Sequence, residues 1–379
     1  MYPFFIYFQV NIESRIIAVI FAWLITFPEI FIRLVFSITI IPISTSLHIN
    51  YFYASILLSS FYIGYAFFNL PMGNLVDKYG YKVISISLIM LSIFTIVFSI
   101  SESYLLSLIS MFLLGVFSAP TYIGSVKLVS ERNPNFRATA ISFLNTAGPT
   151  SLLISNLILP GYIQILDWRT IYIYISIFAF IVSIPVLFIK KFNHAYAKGA
   201  INRKSIIASF VRFSGFWGMW GISTYLFLLS HIEFNLSYVY SGIVSALFSI
   251  GALISIPSSG IISDLIKKRR EISISFLIIF FFMLIIFPFI DRSIIFYMAF
   301  LLGFISFGYR TPLDAYISEI TKGREATSMG LANLVSQPSL IIVPAVIGAI
   351  ITFTGNVFLA FFTLSIGPLV AIILLFFLN

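Results

Sequence analysis

The chain has 379 residues, of which 60% are hydrophobic and 9% charged, and its formal net charge is +9. Soluble domains carry about 25% charged residues, so the composition specifies an integral membrane protein. The basic residues are spread over short segments and form no patch, which argues against a nucleic-acid partner. With no cysteine, disulfides, thiol catalysis and thiolate metal sites are excluded.

Residues 1–12 are apolar but lack a basic leading segment and a small-residue cleavage site, so they read as an interfacial lead-in and not as a secretory signal. A spanning helix needs about 20 apolar residues. Twelve stretches qualify: 16–43, 51–72, 83–100, 104–128, 138–163, 170–190, 206–230, 237–262, 272–290, 293–318, 326–353 and 355–378. Pro28, Pro120, Pro149, Pro257, Pro312 and Pro338 fall inside them and are expected to kink the helices. With both ends inside, the cytoplasmic segments hold eighteen Lys and Arg residues, and the outward loops hold only Arg169 and Arg292. That asymmetry predicts a multi-pass protein of the cell membrane with both termini cytoplasmic. His48, His194 and His231 are scattered without metal-ligand spacing, so no metal site, catalytic residue or cofactor is expected.

The polar stretch Lys190 to Lys204 separates two halves: residues 1–190, a linker over 191–205, and residues 206–379. The halves repeat one another. Phe112-Leu-Leu-Gly115 matches Phe300-Leu-Leu-Gly303, Ser130-Glu131 matches Ser318-Glu319, and Ala138-Thr139 with Asn145 matches Ala326-Thr327 with Asn333, all at an offset of 188. The polar turn Pro71 to Lys82 has a degenerate copy at Gly260 to Arg270, and Asp77 and Asp264 are 187 residues apart. The expected fold is therefore an all-α membrane protein, with twelve transmembrane helices in two pseudo-symmetric six-helix bundles. Such repeats are typical of secondary transporters.

The turn residues Gly73, Asp77, Gly80 and Lys82, the segment containing Glu131, Pro134 and Arg137, and the run Asp167-Trp168-Arg169 together resemble the major facilitator superfamily. The resemblance covers nearly the whole chain. It implies a central cavity lined by the first, fourth, seventh and tenth spans. It also implies a cytoplasmic gating role for Gly73, Asp77, Gly80, Lys82, Glu131 and Arg137, and for Gly260, Asp264, Glu319 and Arg324 of the second half. Asp77 would sit at the start of the eleventh span near Ala326, and Asp264 at the start of the fifth near Ala138, where a helix N-terminus stabilises a carboxylate. Gly73 would allow close approach of a neighbouring helix. The sequence also departs from the family. Lys267 stands where the second turn would have its second Gly. Met111 occupies the place of the Arg found in drug antiporters of the family, and only Gly148-Pro149 is left of their fifth-span glycine run.

An ionisable residue at membrane depth costs about 2.5–3.5 kcal/mol on insertion scales. Glu29 and Arg33 in the first span, and Arg310 and Asp314 in the tenth, are each spaced i,i+4, so each pair can neutralise itself along one helix face. Two roles are open to them: a structural one, as salt bridges fixing helix faces or with Asp314 as a cytoplasmic gate, or solute and proton binding. In the second, Arg33 and Arg310 attract an anionic group, Glu29 exchanges a proton and Asp314 is a second proton carrier. Asn145, Asn333 and Gln337 lie in the fifth and eleventh spans, where they serve either inter-helix hydrogen bonding or the border of the expected cavity, and Trp220 and Tyr225 either pack or offer aromatic surfaces to a solute. Arg212 is expected to snorkel towards the cytoplasm. No G-x-x-x-x-G-K-[ST] run is present to bind ATP. The sequence thus points to a monomeric, proton-coupled secondary transporter and not an enzyme. Its partners would be a small anionic or zwitterionic solute, protons and the lipid bilayer. The alternatives are proton-coupled efflux of hydrophobic compounds, or a non-transporting receptor on the same fold.

Overall fold

A computed structural model describes residues 15–133, 137–163, 165–189, 203–320 and 325–378, and every regular element among them is helical. In chain order these are α1 (Arg15–Ser46), α2 (Tyr51–Tyr79), α3 (Lys82–Ile100), α4 (Tyr104–Arg132), α5 (Arg137–Asn145), α6 (Ala147–Ile163) and α7 (Trp168–Val186). There follow α8 (Arg203–Glu233), α9 (Tyr238–Ile266), α10 (Arg269–Ile286), α11 (Ile295–Gly308), α12 (Arg310–Ile320), α13 (Glu325–Thr354) and α14 (Val357–Phe376).

Each of the twelve apolar stretches is helical, but two are not single helices. The stretch 138–163 is interrupted at Thr146, between α5 and α6, and 293–318 at Tyr309, between α11 and α12. One cause explains both. A proline lacks the N–H that would bond the carbonyl four residues back, and its ring clashes with that carbonyl. Pro149 stands four residues after Asn145, where α5 ends, and Pro312 four after Gly308, where α11 ends. Pro120, Pro257 and Pro338 sit within continuous helices.

Nine helices among the described residues are long and apolar enough to cross a membrane. The two interrupted stretches yield shorter pieces. α8 has the length but is not among the nine; it carries five serines, three glycines and Arg212.

The chain divides into two compact units. Met1–Leu34, Ser60–Ser151 and Leu166–Tyr196 contribute to the first; Val35–Ser59, Leu152–Ile165 and Ala197–Asn379 contribute to the second. The division cuts across α1, α2 and α6, whose remaining parts pack with the C-terminal helices. Within the second unit, Phe52 N–H donates to Thr352 Oγ1 at 3.0 Å, and Tyr225 Oη lies 2.7 Å from Ser55 Oγ and 3.1 Å from the Pro344 carbonyl oxygen.

Lipid is as apolar as leucine, so helices associate in it through close packing and polar contacts. In the first unit, α3 and α7 are stitched by serines: Ser92 and Ser176 hydroxyls lie 2.9 Å apart, and Ser85 Oγ donates to the Ser183 carbonyl at 2.7 Å. In the same unit, α2 crosses α4 backbone to backbone. A methyl group on Gly115 would overlap the Phe61 carbonyl oxygen, and one on Gly64 would overlap that of Phe112. The second unit repeats this crossing between α9 and α11: Gly303 faces the Phe248 carbonyl and Gly251 that of Phe300. The repeated Phe-Leu-Leu-Gly motif is thus a helix-crossing device.

The two polar turns share a backbone conformation. Gly80 follows α2 with φ 73°, and Lys267 follows α9 with φ 58°. Each N–H closes the last helical turn, on Val76 at 2.8 Å and on Ser263 at 3.0 Å. Lys267 therefore keeps the left-handed cap that glycine adopts without strain, at a cost of roughly 1–2 kcal/mol.

Lys267→Gly is expected to raise the thermal midpoint of the purified protein in scanning fluorimetry. Gly115→Val and Gly303→Val are expected to lower it, overpacking costing about 1–3 kcal/mol. Gly161, where an added methyl would meet no atom within 4 Å, should accept Ala without loss.

Candidate functional site

Two charged constellations lie on the helices, one in each unit. In the first unit, Glu29 stands fourteen residues into α1, about 21 Å along it at 1.5 Å per residue. Glu29 is fully buried, and Arg33 Nε lies 3.7 Å from its Oε2. Neither carboxylate oxygen has a hydrogen-bond partner among the described residues. Arg33 is held from α2: its guanidinium lies 5.9 Å from the Tyr62 ring centre and 5.8 Å from that of Tyr65, and it hydrogen-bonds the Tyr62 side chain. Removing one partner of such a buried pair strands the other charge, typically at a cost of about 3–5 kcal/mol. Next to this pair on α1, Trp23, Phe27 and Phe31 stack at 4.8 and 5.2 Å, and Trp23 Nε1 donates to Thr146 Oγ1 at the α5–α6 break.

In the second unit, Asp314 Oδ1 lies 3.1 Å from Arg212 Nη1, and its Oδ2 lies 3.8 Å from Arg310 Nε. The expected Arg310–Asp314 pair is therefore present, but it is joined by a third charge from α8. Arg212 does not snorkel. Its side chain is only 4% exposed, because the Asp314 carboxylate and the Phe216 ring hold it inside the unit. Phe216 lies beneath both guanidiniums, at 5.1 Å from that of Arg212 and 5.4 Å from that of Arg310. Tyr309, in the gap between α11 and α12, is fully buried beside these charges.

The other expected site residues are dispersed. Asn145, at the end of α5, accepts a hydrogen bond from Tyr122 Oη at 3.0 Å. Gln337 lies on α13, and its buried Oε1 has no hydrogen-bond partner among the described residues. Trp220 packs edge-on against Phe216 and Phe307. The Tyr225 hydroxyl is committed to Ser55 and Pro344. The Asn333 side chain lies outside the described residues.

Among the expected gating residues, Glu131 Oε2 accepts from Tyr81 Oη at 2.7 Å, tying the end of α4 to the turn before α3. Lys82 is exposed at the start of α3, and a methyl on Gly73 would meet the Ile123 side chain at an ordinary 3.6 Å. In the second unit Arg269 bridges two carboxylates, Asp264 at 3.0 Å and Glu319 at 2.6 Å, linking α9, α10 and α12. Gly260 lies beside Thr311, whose side chain would be 3.3 Å from a methyl added there. The side chains of Asp77 and Arg137, and all of Arg324, lie outside the described residues. At the opening of α7, Asp167 caps the Arg169 N–H at 3.2 Å and pairs with the Arg169 guanidinium at 3.3 Å. No cluster of His, Asp and Glu that could hold a metal occurs among the described residues.

Sequence reasoning missed Tyr62, Tyr65, Phe216 and Tyr309, and misread Arg212. A signal existed for Arg212: it stands nine residues into α8, a depth at which a charge requires a partner. The aromatic residues had none, being dispersed among 20 Tyr and 43 Phe.

The family description of the Major Facilitator Superfamily matches residues 22–344. No curated protein matches the chain. Among solved structures, the fold is similar to a bacterial homolog of the human lysosomal transporter Spinster in an inward-facing, unoccupied conformation. That match has a TM-score of 0.68 and 15% identity, and covers 96% of this chain and 95% of the other. The same bacterial homolog in its inward-facing, occupied conformation matches with a TM-score of 0.70 at 13% identity, covering 95% and 94% of the two chains. The family match spans most of the chain and agrees with its long apolar helices: this protein belongs to the Major Facilitator Superfamily, a family of membrane transporters and not of enzymes.

Proposed function

We propose that the protein is a monomeric secondary active transporter that carries a small anionic or zwitterionic organic solute by alternating access, coupled to protons. The twelve apolar stretches are read as twelve spans in two six-helix halves, residues 1–190 and 206–379, with a cytoplasmic linker over 191–205 and both termini cytoplasmic in the cell membrane. The observation that carries this reading is Glu29, a fully buried carboxylate with no hydrogen bond among the described residues and a cationic neighbour at 3.7 Å. Burial of an ionisable group in a spanning helix is costly and marks ion and proton pathways. Glu29 can carry its charge against Arg33 or carry a proton, and this gives the solute cycle a coupling step. Asp314, whose side chain is 26% exposed, serves as a second proton carrier.

Arg33 and Arg310 supply positive charge to the solute. Asn145, Asn333, Gln337, Trp220 and Tyr225 border its path. The polar turns, through Gly73, Asp77, Gly80 and Lys82 and through Gly260 and Asp264, latch the cytoplasmic side with Glu131, Arg137, Glu319 and Arg324. The bacterial Spinster homolog, whose fold this chain shares, was captured inward-facing, which supports assigning the same kind of cycle here.

Two experiments test the reading. In proteoliposomes screened with organic acids, amino acids and lipophilic cations, wild-type flux is expected to follow an imposed pH gradient. Glu29→Gln is expected to abolish that dependence, and flux that still responds to the gradient removes Glu29 as the coupling group. Asp77→Asn is expected to slow flux at least several-fold and to change the accessibility of cytoplasmic-side thiols introduced as probes. Unchanged rates and accessibility would remove the latch.

A further inference from the structure

In the second unit two guanidinium groups converge on one carboxylate. Asp314 offers Oδ1 to Arg212 at 3.1 Å and Oδ2 to Arg310 at 3.8 Å, while both cations share the face of Phe216. These three charges sum to plus one. The Glu29–Arg33 pair of the first unit is balanced one to one.

A second observation does not depend on charge. Tyr309 is fully buried, and its hydroxyl has no hydrogen-bond partner among the described residues. An unbonded buried hydroxyl is costly and calls for an explanation, of which a ligand group bound beside it is one. This hydroxyl rests against Gly215, where a side chain would displace it, and it lies within electrostatic range of Arg310, Arg212 and Asp314. Arg212, Gly215 and Phe216 fall on neighbouring positions of one turn of α8, so one helix face presents a guanidinium, a gap and an aromatic floor.

We infer that Arg212, Arg310 and Tyr309 form a subsite for a carboxylate or phosphate group of the solute, with Asp314, while ionised, holding the two guanidiniums in place. The inference rests on the transport reading above and extends it: Arg212 and Tyr309 join Arg310 as ligands of the anion, while Arg33 still lends positive charge to the solute and Glu29 and Asp314 remain the proton carriers. Guanidinium planes match the paired oxygens of carboxylate and phosphate, and the tyrosine O–H supplies a further donor. A cationic head group is repelled by the same excess charge. A neutral one leaves that charge uncompensated.

The test uses the full chain in lipid nanodiscs, with binding read by thermal stabilisation and tryptophan fluorescence. The probes are benzoate, phenyl phosphate, benzamide and benzylammonium. Both anions are expected to bind and the neutral and cationic analogues to fail; the relative affinity of benzoate and phenyl phosphate identifies the preferred anion. Arg212→Gln and Arg310→Gln are each expected to weaken anion binding about tenfold or more. Arg212→Lys should retain part of it, and Tyr309→Phe, which changes only the hydroxyl, should weaken it several-fold. Arg292→Gln, at an exposed loop position, should leave it unchanged. Equal binding of benzamide and benzoate, no binding of either anion to the wild type, or unchanged anion affinity in Arg212→Gln overturns the subsite. Arg212-dependent anion binding without any flux in proteoliposomes keeps the subsite and removes the transport reading. Gradient-driven flux of an anion that survives Arg212→Gln unchanged does the reverse.

Discussion

Inside hydrocarbon no water is available to satisfy a polar group, so every backbone amide and every charge must find its partner within the protein. This constraint explains why the described chain is helical throughout, and why many of its serines return their hydroxyls to carbonyls of their own helix or to the helix beside it, as Ser85 does to Ser183. It also gives the few buried charges their weight. A glutamate and three arginines buried within an apolar helical protein are not tolerated by default. Each is embedded in a specific setting: Arg33 among tyrosines, Arg212 and Arg310 around Asp314 and over Phe216.

The same constraint governs how the helices meet. With no hydrophobic gain from leaving lipid, close approach has to come from small residues at the crossing points. Gly64 and Gly115 in one unit, and Gly251 and Gly303 in the other, solve this problem twice with the same geometry. The repeat is therefore structural at its root. The halves diverge where chemistry enters: a balanced acid–base pair in one, an excess of arginine in the other.

Much of this architecture is legible in the sequence because its signals are periodic or compositional. The apolar stretches, the Phe-Leu-Leu-Gly repeat, and the i,i+4 pairs Glu29–Arg33 and Arg310–Asp314 all follow from spacing along one helix. The replacement of a glycine by Lys267 is equally plain, but its left-handed backbone, matching Gly80, is a property of the folded turn. Contacts between distant segments are less visible. Nothing in the local pattern connects Arg212 with Asp314, a hundred residues away, or Tyr62 with Arg33, since tyrosine and phenylalanine abound and only packing selects among them. The stretches 138–163 and 293–318 read as continuous because their hydropathy is continuous, although Pro149 and Pro312 mark the places where the helices divide.

Those two divisions alter the mechanics of the chain. Bending an intact helix stretches or breaks its ladder of hydrogen bonds, so an unbroken span behaves as a stiff rod. At Thr146 and Tyr309 the ladder is already interrupted, so fewer bonds resist a change in the angle between the pieces on either side. Arg310 stands directly after one such joint, and Asn145 directly before the other. Small rotations there re-aim a polar side chain while the remainder of the helix keeps its packing, so these spans have the character of articulated levers.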